Sequence, residues 1–428
     1  VLGSKSTAVG HNALLFQRPV DGGGSDQATD MHNTAIGYGA GGQTTTGIKN
    51  TLVGSNTGDA LTLGQQNVAV GHDALTTDDV GTGSVAIGAD ALKSQNAAGS
   101  TSNAVQNTAV GFSAGTAMTE GYYNTFIGAL SGDAVTEGIN NVAVGRAALS
   151  ADTLGSKSVA IGRNALIVQN FSSTATDSYN TAVGDQAGAS VTTAQYNTLI
   201  GAEAGNAISD TGGLNTCVGA RAGHDISTGG YNIAIGVDAL SKEDGHSYNI
   251  AIGVDALENQ NAGAHAYNVA VGYQAGHEVT SGIYNVLIGG KAGESLTDAD
   301  LNVAVGQGAL FTDEKGSKST ALGYGALNAQ LFTTSTDSFN TAVGYEAGVS
   351  ITSGRYNTFV GALSGDSLQG AFSNVAVGYS ALTTETTGGN STAVGSFALS
   401  TQNCGSGINT FNTAVGYDSG ASVTSGIR

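Results

Sequence analysis

Short apolar triplets punctuate this chain at near-constant intervals. A five-residue unit recurs 23 times: Asn or Ser, then Thr, Val or Ile, then usually Ala, then Val, Ile or Leu, then Gly. Its closing glycines run from Gly10, Gly37 and Gly54 to Gly378, Gly395 and Gly416, and the commonest spacing is 17 residues. The second position is β-branched in every copy, and the fourth is Val or Ile in all but one, Leu322. Residues two apart in a strand point to the same side, and β-branched residues pack well on a pleated surface. Each copy therefore predicts a short strand with one β-branched face and one Ala face. No helical period links the copies, so the pattern predicts an all-β parallel β-solenoid of about 23 coils stacked in register. At about 4.8 Å per coil the array would be roughly 110 Å long.

The other positions add detail. The leading Asn (Asn107, Asn124, Asn141) is expected to stack above its copy and to bond along the ladder. The closing Gly is expected where a backbone angle or a close approach excludes a side chain. Four residues after it stands either Gly or Leu, in the order Gly, Gly, Leu, Leu, as at Gly115, Gly132, Leu149 and Leu166. This makes super-repeats of about 72 residues beginning near positions 33, 107, 180, 268, 340 and 412, with one extra coil in the third. Each block ends in a longer connection carrying a Gln: Gln17, Gln95, Gln169, Gln260, Gln330 and Gln402. These glutamines are expected in exposed loops, and the first loop, residues 15–32, holds the lone proline, Pro19, as a candidate protrusion.

A further regularity bears on assembly. The Ala position is filled by a larger residue at Leu52, Phe126, Leu199, Leu287 and Phe359, each in the second coil of its block, and by Cys217 in the inserted coil. If the β-branched face fills the interior, an outward Ala face makes a poor solvent surface. These six residues are then expected to plug a seam between identical chains.

Composition narrows the class. Of 428 residues, 67 are Gly and one is Pro; average Gly usage is about 7%, so turns abound, yet the pattern is not collagen's. An apolar fraction of 40% is too high for a disordered chain. The net charge of −19 repels nucleic acid and anionic lipid, and no apolar run approaches the roughly 20 residues that span a bilayer. Cys217 and Cys404, 187 residues apart, are too far along the array to pair within one chain.

Segments such as Asn180-Thr-Ala-Val-Gly-Asp-Gln-Ala-Gly188 and Asn268-Val-Ala-Val-Gly-Tyr-Gln-Ala-Gly276 carry a resemblance that covers essentially the whole chain. They resemble the head repeats of YadA-type trimeric autotransporter adhesins, and the shaft of phage tail-fibre proteins of the endosialidase-chaperone type. The tyrosine-bearing phrasing is closer to the fibres. The resemblance implies a left-handed β-roll, a homotrimer and an extracellular setting, on a virion or a bacterial outer surface. It departs from the adhesins in its longer coil, and neither a membrane anchor nor a chaperone is in the sequence. The chain enters and leaves in mid-coil, as expected of a segment of a longer fibre.

Chemistry is sparse. The Gly-Ser-Lys-Ser runs at Gly3, Gly155 and Gly316 lack the spacing of a phosphate loop. The seven histidines show no metal-ligand spacing. The reading is therefore a non-enzymatic fibre shaft without cofactor or metal, presenting a receptor-binding element. The alternative is a direct adhesin for host matrix or glycan, using the loops and Tyr123, Tyr179, Tyr196, Tyr231 and Tyr356.

Overall fold

A computed structural model of the chain describes residues 5–18, 30–97, 104–405 and 408–426. It divides into two compact units, Val1–Leu214 and Asn215–Arg428. Each is a parallel β-solenoid, with no α-helix among the described residues. Every motif copy forms a three-residue strand: eleven in the first unit, from Thr7–Val9 to Thr198–Ile200, and twelve in the second, from Thr216–Val218 to Thr413–Val415. Within each unit successive strands pair in parallel, one coil apart, as in Thr108↔Thr125, Ala109↔Phe126 and Val110↔Ile127.

The ladder continues around the coil, which is why so few residues per strand suffice. Beyond the strands, Tyr123 donates to the Val105 carbonyl (2.8 Å), Leu130 to Phe112 (2.9 Å), Gly132 to Ala148 (2.9 Å) and Thr119 to Thr136 (2.9 Å). The closing glycine is the point of closest approach. Gly128 has φ +132, and a Cβ there would lie 2.6 Å from the Gly145 carbonyl oxygen, so the expectation of a position closed to side chains holds. Two of the longer connections pair again on the wall: Gly155–Ser156 with Thr176–Asp177, and Gly316–Ser317 with Thr336–Asp337.

The leading asparagines are buried and tie each coil to the next. Asn107 Oδ1 accepts the backbone N–H of Asn124 at 2.9 Å, and its Nδ2 donates to the Gly121 carbonyl at 2.8 Å. Asn124 does the same with Asn141 (2.9 Å) and Gly138 (2.8 Å). In the second unit Asn268 accepts from the N–H of Asn285 at 2.7 Å and donates to Gly282 at 2.7 Å. Direct amide-to-amide contact is the longer one, 3.2 Å from Asn124 to Asn107. The ladder therefore runs from side chain to backbone, and it satisfies main-chain groups that a three-residue strand leaves over.

The strand faces are the reverse of the sequence expectation. The middle residue points inward: Ala109, Ala143 and Ala182 are fully buried. So are Leu52, Phe126, Leu199, Cys217, Leu287 and Phe359, which are core residues of their own chain and not seam plugs. The β-branched flanks point outward, half-buried or exposed. The reason is volume. The interior also receives the corner Leu of each block's last coils, such as Leu149 and Leu166, both fully buried, so a strand of inward Val or Ile would overfill it.

The larger strand residues occur where that corner residue is Gly. A Cβ on Gly115 would lie 2.8 Å from Phe126 Cδ2, and one on Gly132 only 2.6 Å from Phe126 Cε1. Leu52 fills the same space between Gly41 and Gly58, Leu199 between Gly188 and Gly205, Leu287 between Gly276 and Gly293, and Phe359 between Gly348 and Gly365. Cys217 meets the extra Gly223 of the inserted coil, at 2.6 Å from its would-be Cβ. One large side chain thus replaces two absent leucines, and the two sequence regularities are a single packing rule.

Replacing Asn124 with Ala should leave the buried Asn141 N–H and the Gly138 carbonyl unpaired. At about 1–3 kcal/mol per orphaned group, a loss of roughly 2–5 kcal/mol is expected in urea unfolding. A loss below about 0.5 kcal/mol, the scale of an ordinary surface substitution, would contradict the bridging role.

Candidate functional site

The glutamines expected in exposed loops lie inside. Gln95, Gln169, Gln260, Gln330 and Gln402 are fully buried, and Gln17 is half-buried. Four of them build the same cluster. Gln95 Nε2 donates to Asp78 Oδ2 (2.6 Å) and to Ser84 Oγ (3.1 Å), while its Oε1 accepts from Asn107 Nδ2 at 2.9 Å. Asp78 Oδ1 accepts the N–H of Gly81 (3.0 Å) and of Ala97 (3.3 Å). Asp152, Ser158, Gln169 and Asn180 repeat this at 2.7, 2.8 and 2.9 Å. Asp313, Ser319, Gln330 and Asn340 do so at 2.5, 2.8 and 2.8 Å, and Glu385, Ser391, Gln402 and Asn412 at 3.1, 2.9 and 2.8 Å.

Residue type explains the burial. In these coils Ser replaces the bridging Asn, and the glutamine eleven residues later supplies the carboxamide instead. The carboxylate lies one coil earlier at the same register as the glutamine. One and two coils before that, the column is apolar and buried, as at Met118 and Val135 before Asp152. The block with the inserted coil departs from this rule. Asn249 stands in place of Ser, the acid is Glu243, and Gln260 Nε2 has no hydrogen-bond partner, although its Oε1 accepts from Asn268 at 2.7 Å. The signal was in the sequence as offsets: Ser–Gln at eleven and acid–Gln at seventeen residues.

Of loop 15–32, residues 19–29, including Pro19, lie outside the described residues. Gln17 bonds Ser6 Oγ (3.1 Å) and Asn33 (3.3 Å), so the connection starts against the wall. Leu15 and Phe16 are exposed and Met31 is buried.

The outer surface has two apolar features. One is the row of β-branched strand flanks, with Ile127, Ile200 and Ile288 about two-fifths exposed. The other is an aromatic column just before the leading Asn. Tyr123, Tyr179, Tyr196, Tyr231 and Tyr356 are all exposed, as anticipated. Many of these rings stack: Tyr179 on Tyr196 at 5.3 Å, and Tyr231, Tyr248, Tyr267 and Tyr284 in one run at 5.0 to 5.4 Å. Lys157 and Lys318 lie over the Tyr179 and Phe339 rings at 5.0 and 5.2 Å, adding cation–π attraction.

Two side-chain groups gather histidine with carboxylates: His72, Asp73 and Asp90, and Glu243, Asp244 and His246. Spacing alone had not suggested either. Lys93 already neutralises the first, at 3.1 and 2.9 Å from Asp73 and Asp90. In the second, His246 Nδ1 lies 2.8 Å from the buried Glu243. Burial pushes the Cys217 thiol up to about 12, so that sulfur is inert. Compared with known proteins, the chain matches no protein-family model and no curated protein.

Burial raises the carboxyls of Asp78, Asp152, Asp313 and Glu243 above the ordinary range, outweighing their hydrogen bonds. A raised folded-state value contributes stability that is complete below the unfolded value, about 4. That contribution is lost as pH climbs through the folded value. Asp73 opposes this, since Lys93 and Asn56 outweigh its burial and lower it. The melting temperature should therefore be higher at pH 4 than at pH 8, and Asp152→Asn with Asp313→Asn should flatten the dependence. A midpoint that falls on acidification would contradict the buried-carboxylate assignment.

Proposed function

We propose that this chain is part of the shaft of a homotrimeric, extracellular fibre, of the tail-fibre kind carried by a virion, which holds a receptor-binding element away from its base. In this reading the segment is mechanical and not catalytic. The observation that carries it is the row of outward β-branched residues. In both units the strand flanks present Thr, Val and Ile coil after coil, with Ile36, Ile87, Ile161 and Ile235 more than a third exposed. A repeated apolar strip of this kind is an interaction surface, and a repeat offers it in the same spacing on every copy of the chain. Packing these strips around a common axis replaces the Ala-face seam that the interior has claimed.

Two further features support the reading. Coil-to-coil bonding through main chain and buried Asn leaves few loose backbone groups for a protease, as a shaft requires. The Asn-Thr-Ala-Val-Gly and Tyr-Gln-Ala-Gly phrasing resembles tail-fibre repeats. A cell-surface adhesin would use the same architecture with a different base.

Sedimentation velocity tests the assembly. The expected species is elongated, with a mass near three times the chain's 42.2 kDa. Ile127→Asp with Ile161→Asp should shift it toward monomer while the far-UV circular dichroism stays unchanged. A stable monomer in the unmutated chain would overturn the proposal.

A further inference from the structure

Two residues after each closing glycine, the coil turns through a left-handed residue. Twenty of the 23 copies place a side-chain-bearing residue there, at φ between +50 and +61, from Asn12 and Asp73 to Lys291 and Phe397. The other three are Gly39, Gly308 and Gly325, at φ +66, +62 and +61. The backbone does not demand glycine at this position, since Asp, Leu, Arg and Phe adopt the same conformation in other coils. Nor does packing demand it. Within 3.5 Å an added Cβ would meet only side-chain atoms: Asn328 Nδ2 at 3.2 Å from Gly308, Glu346 Cγ at 3.4 Å from Gly325, and Asn56 Oδ1 at 3.1 Å from Gly39.

What the three glycines share is open space beside them. Gly308 and Gly325 floor a groove of about 350 Å³ in the second unit, lined by Lys291, Gln307, Phe311, Tyr324, Asn328 and Glu346. Gly39 lies in a cleft of about 330 Å³ in the first unit, with Phe16, Tyr38, Asn12, Gln43, Asn56 and Asp59. The two sites share one phenylalanine, one tyrosine, two or three carboxamides and one carboxylate around missing side chains, and the second unit's groove alone adds Lys291. In the Gly308–Gly325 groove, Tyr324 is half exposed and stacks on Tyr345 at 5.4 Å, so its ring is held in place. Asn328 is anchored to the Gly308 carbonyl at 2.9 Å, and Lys291 Nζ sits 5.6 Å from the Phe311 ring centre.

We propose that these glycine-cleared clefts bind a saccharide. Pyranose rings offer flat C–H faces to aromatic rings, and adjacent hydroxyls that pair with carboxamides and carboxylates, each of which can engage two neighbouring polar atoms. A shallow, open site with fixed rings and planar polar groups suits that chemistry, whereas a buried apolar cavity would suit an apolar ligand. The shaft reading requires no binding site on the flank, so either proposal can fail without the other. Two clefts per chain would add avidity toward a polymeric glycan.

The test is saturation-transfer NMR of the full chain against neutral hexose, N-acetylhexosamine and uronic-acid oligomers. At least one class should receive saturation. The filled variant Gly39→Asn/Gly308→Asn/Gly325→Asp should lose the effect at least tenfold with an unchanged melting temperature. Should that variant misfold, Tyr38→Ala/Tyr324→Ala, which truncates exposed rings, should lose the effect equally. No transfer to any oligomer, or transfer that survives in the folded variants, would overturn the inference.

Discussion

One buried carboxamide per coil holds this architecture together. A three-residue strand is too short to fix its register through its own ladder. The side chain of Asn124, by accepting from Asn141 and donating to Gly138, adds two coil-to-coil bonds that no water can replace. With each coil fixed on the next at the ladder spacing, glycine becomes obligatory at the closest approach, and the interior becomes too narrow for a β-branched strand face. The inward Ala, the outward Val and Ile, and the traffic between Gly and Leu at the corner all follow from that narrowness.

Where the carboxamide is given up, the chain replaces it. Ser158 has no carboxamide and reaches the next coil only as far as Ser178 Oγ, at 2.6 Å, and Gln169 enters from the corner to meet Asn180. The glutamine brings Asp152 into the interior with it, and the carboxylate is tolerated because Gly155, Phe171 and Gln169 all donate to it. An unpaired buried carboxylate would cost several kcal/mol. A slip of the stack by one coil would set Asp152 in the column place of Val135, away from Gln169 and Phe171 of the following coil. The clusters therefore also distinguish one coil from its near-identical neighbours, the best-attested use of buried polar groups.

Much of this was legible in the sequence. The repeat, the strand at each copy, the parallel stacking, the closing glycine and the exposed tyrosines are periodic signals, and period is what a stacked fold writes most plainly. Two assignments were reversed for identifiable reasons. Alternation separates the two faces of a strand but does not say which is inside, and the Ala face was placed outward because β-branched residues are the usual core. The deciding fact is three-dimensional: Gly132 and Phe126 share one volume although six residues separate them. The glutamines belong to the longer connections, which ordinarily run over the surface; their offsets from Ser and from the acids carry the opposite message.

The measurement that tests the packing account most directly is a double-mutant cycle on Phe126 and Gly132, read by amide exchange protection in the coils around them. Phe126→Ala alone should cost about 3–5 kcal/mol, and Gly132→Leu alone about 1–3 kcal/mol through overpacking. Combined, the pair reproduces a Leu-type coil such as that of Ala143 and Leu149, and should cost at least about 1 kcal/mol less than the sum. Additive losses would mean that the two residues do not share an interior, and would contradict the inward placement of the Ala face.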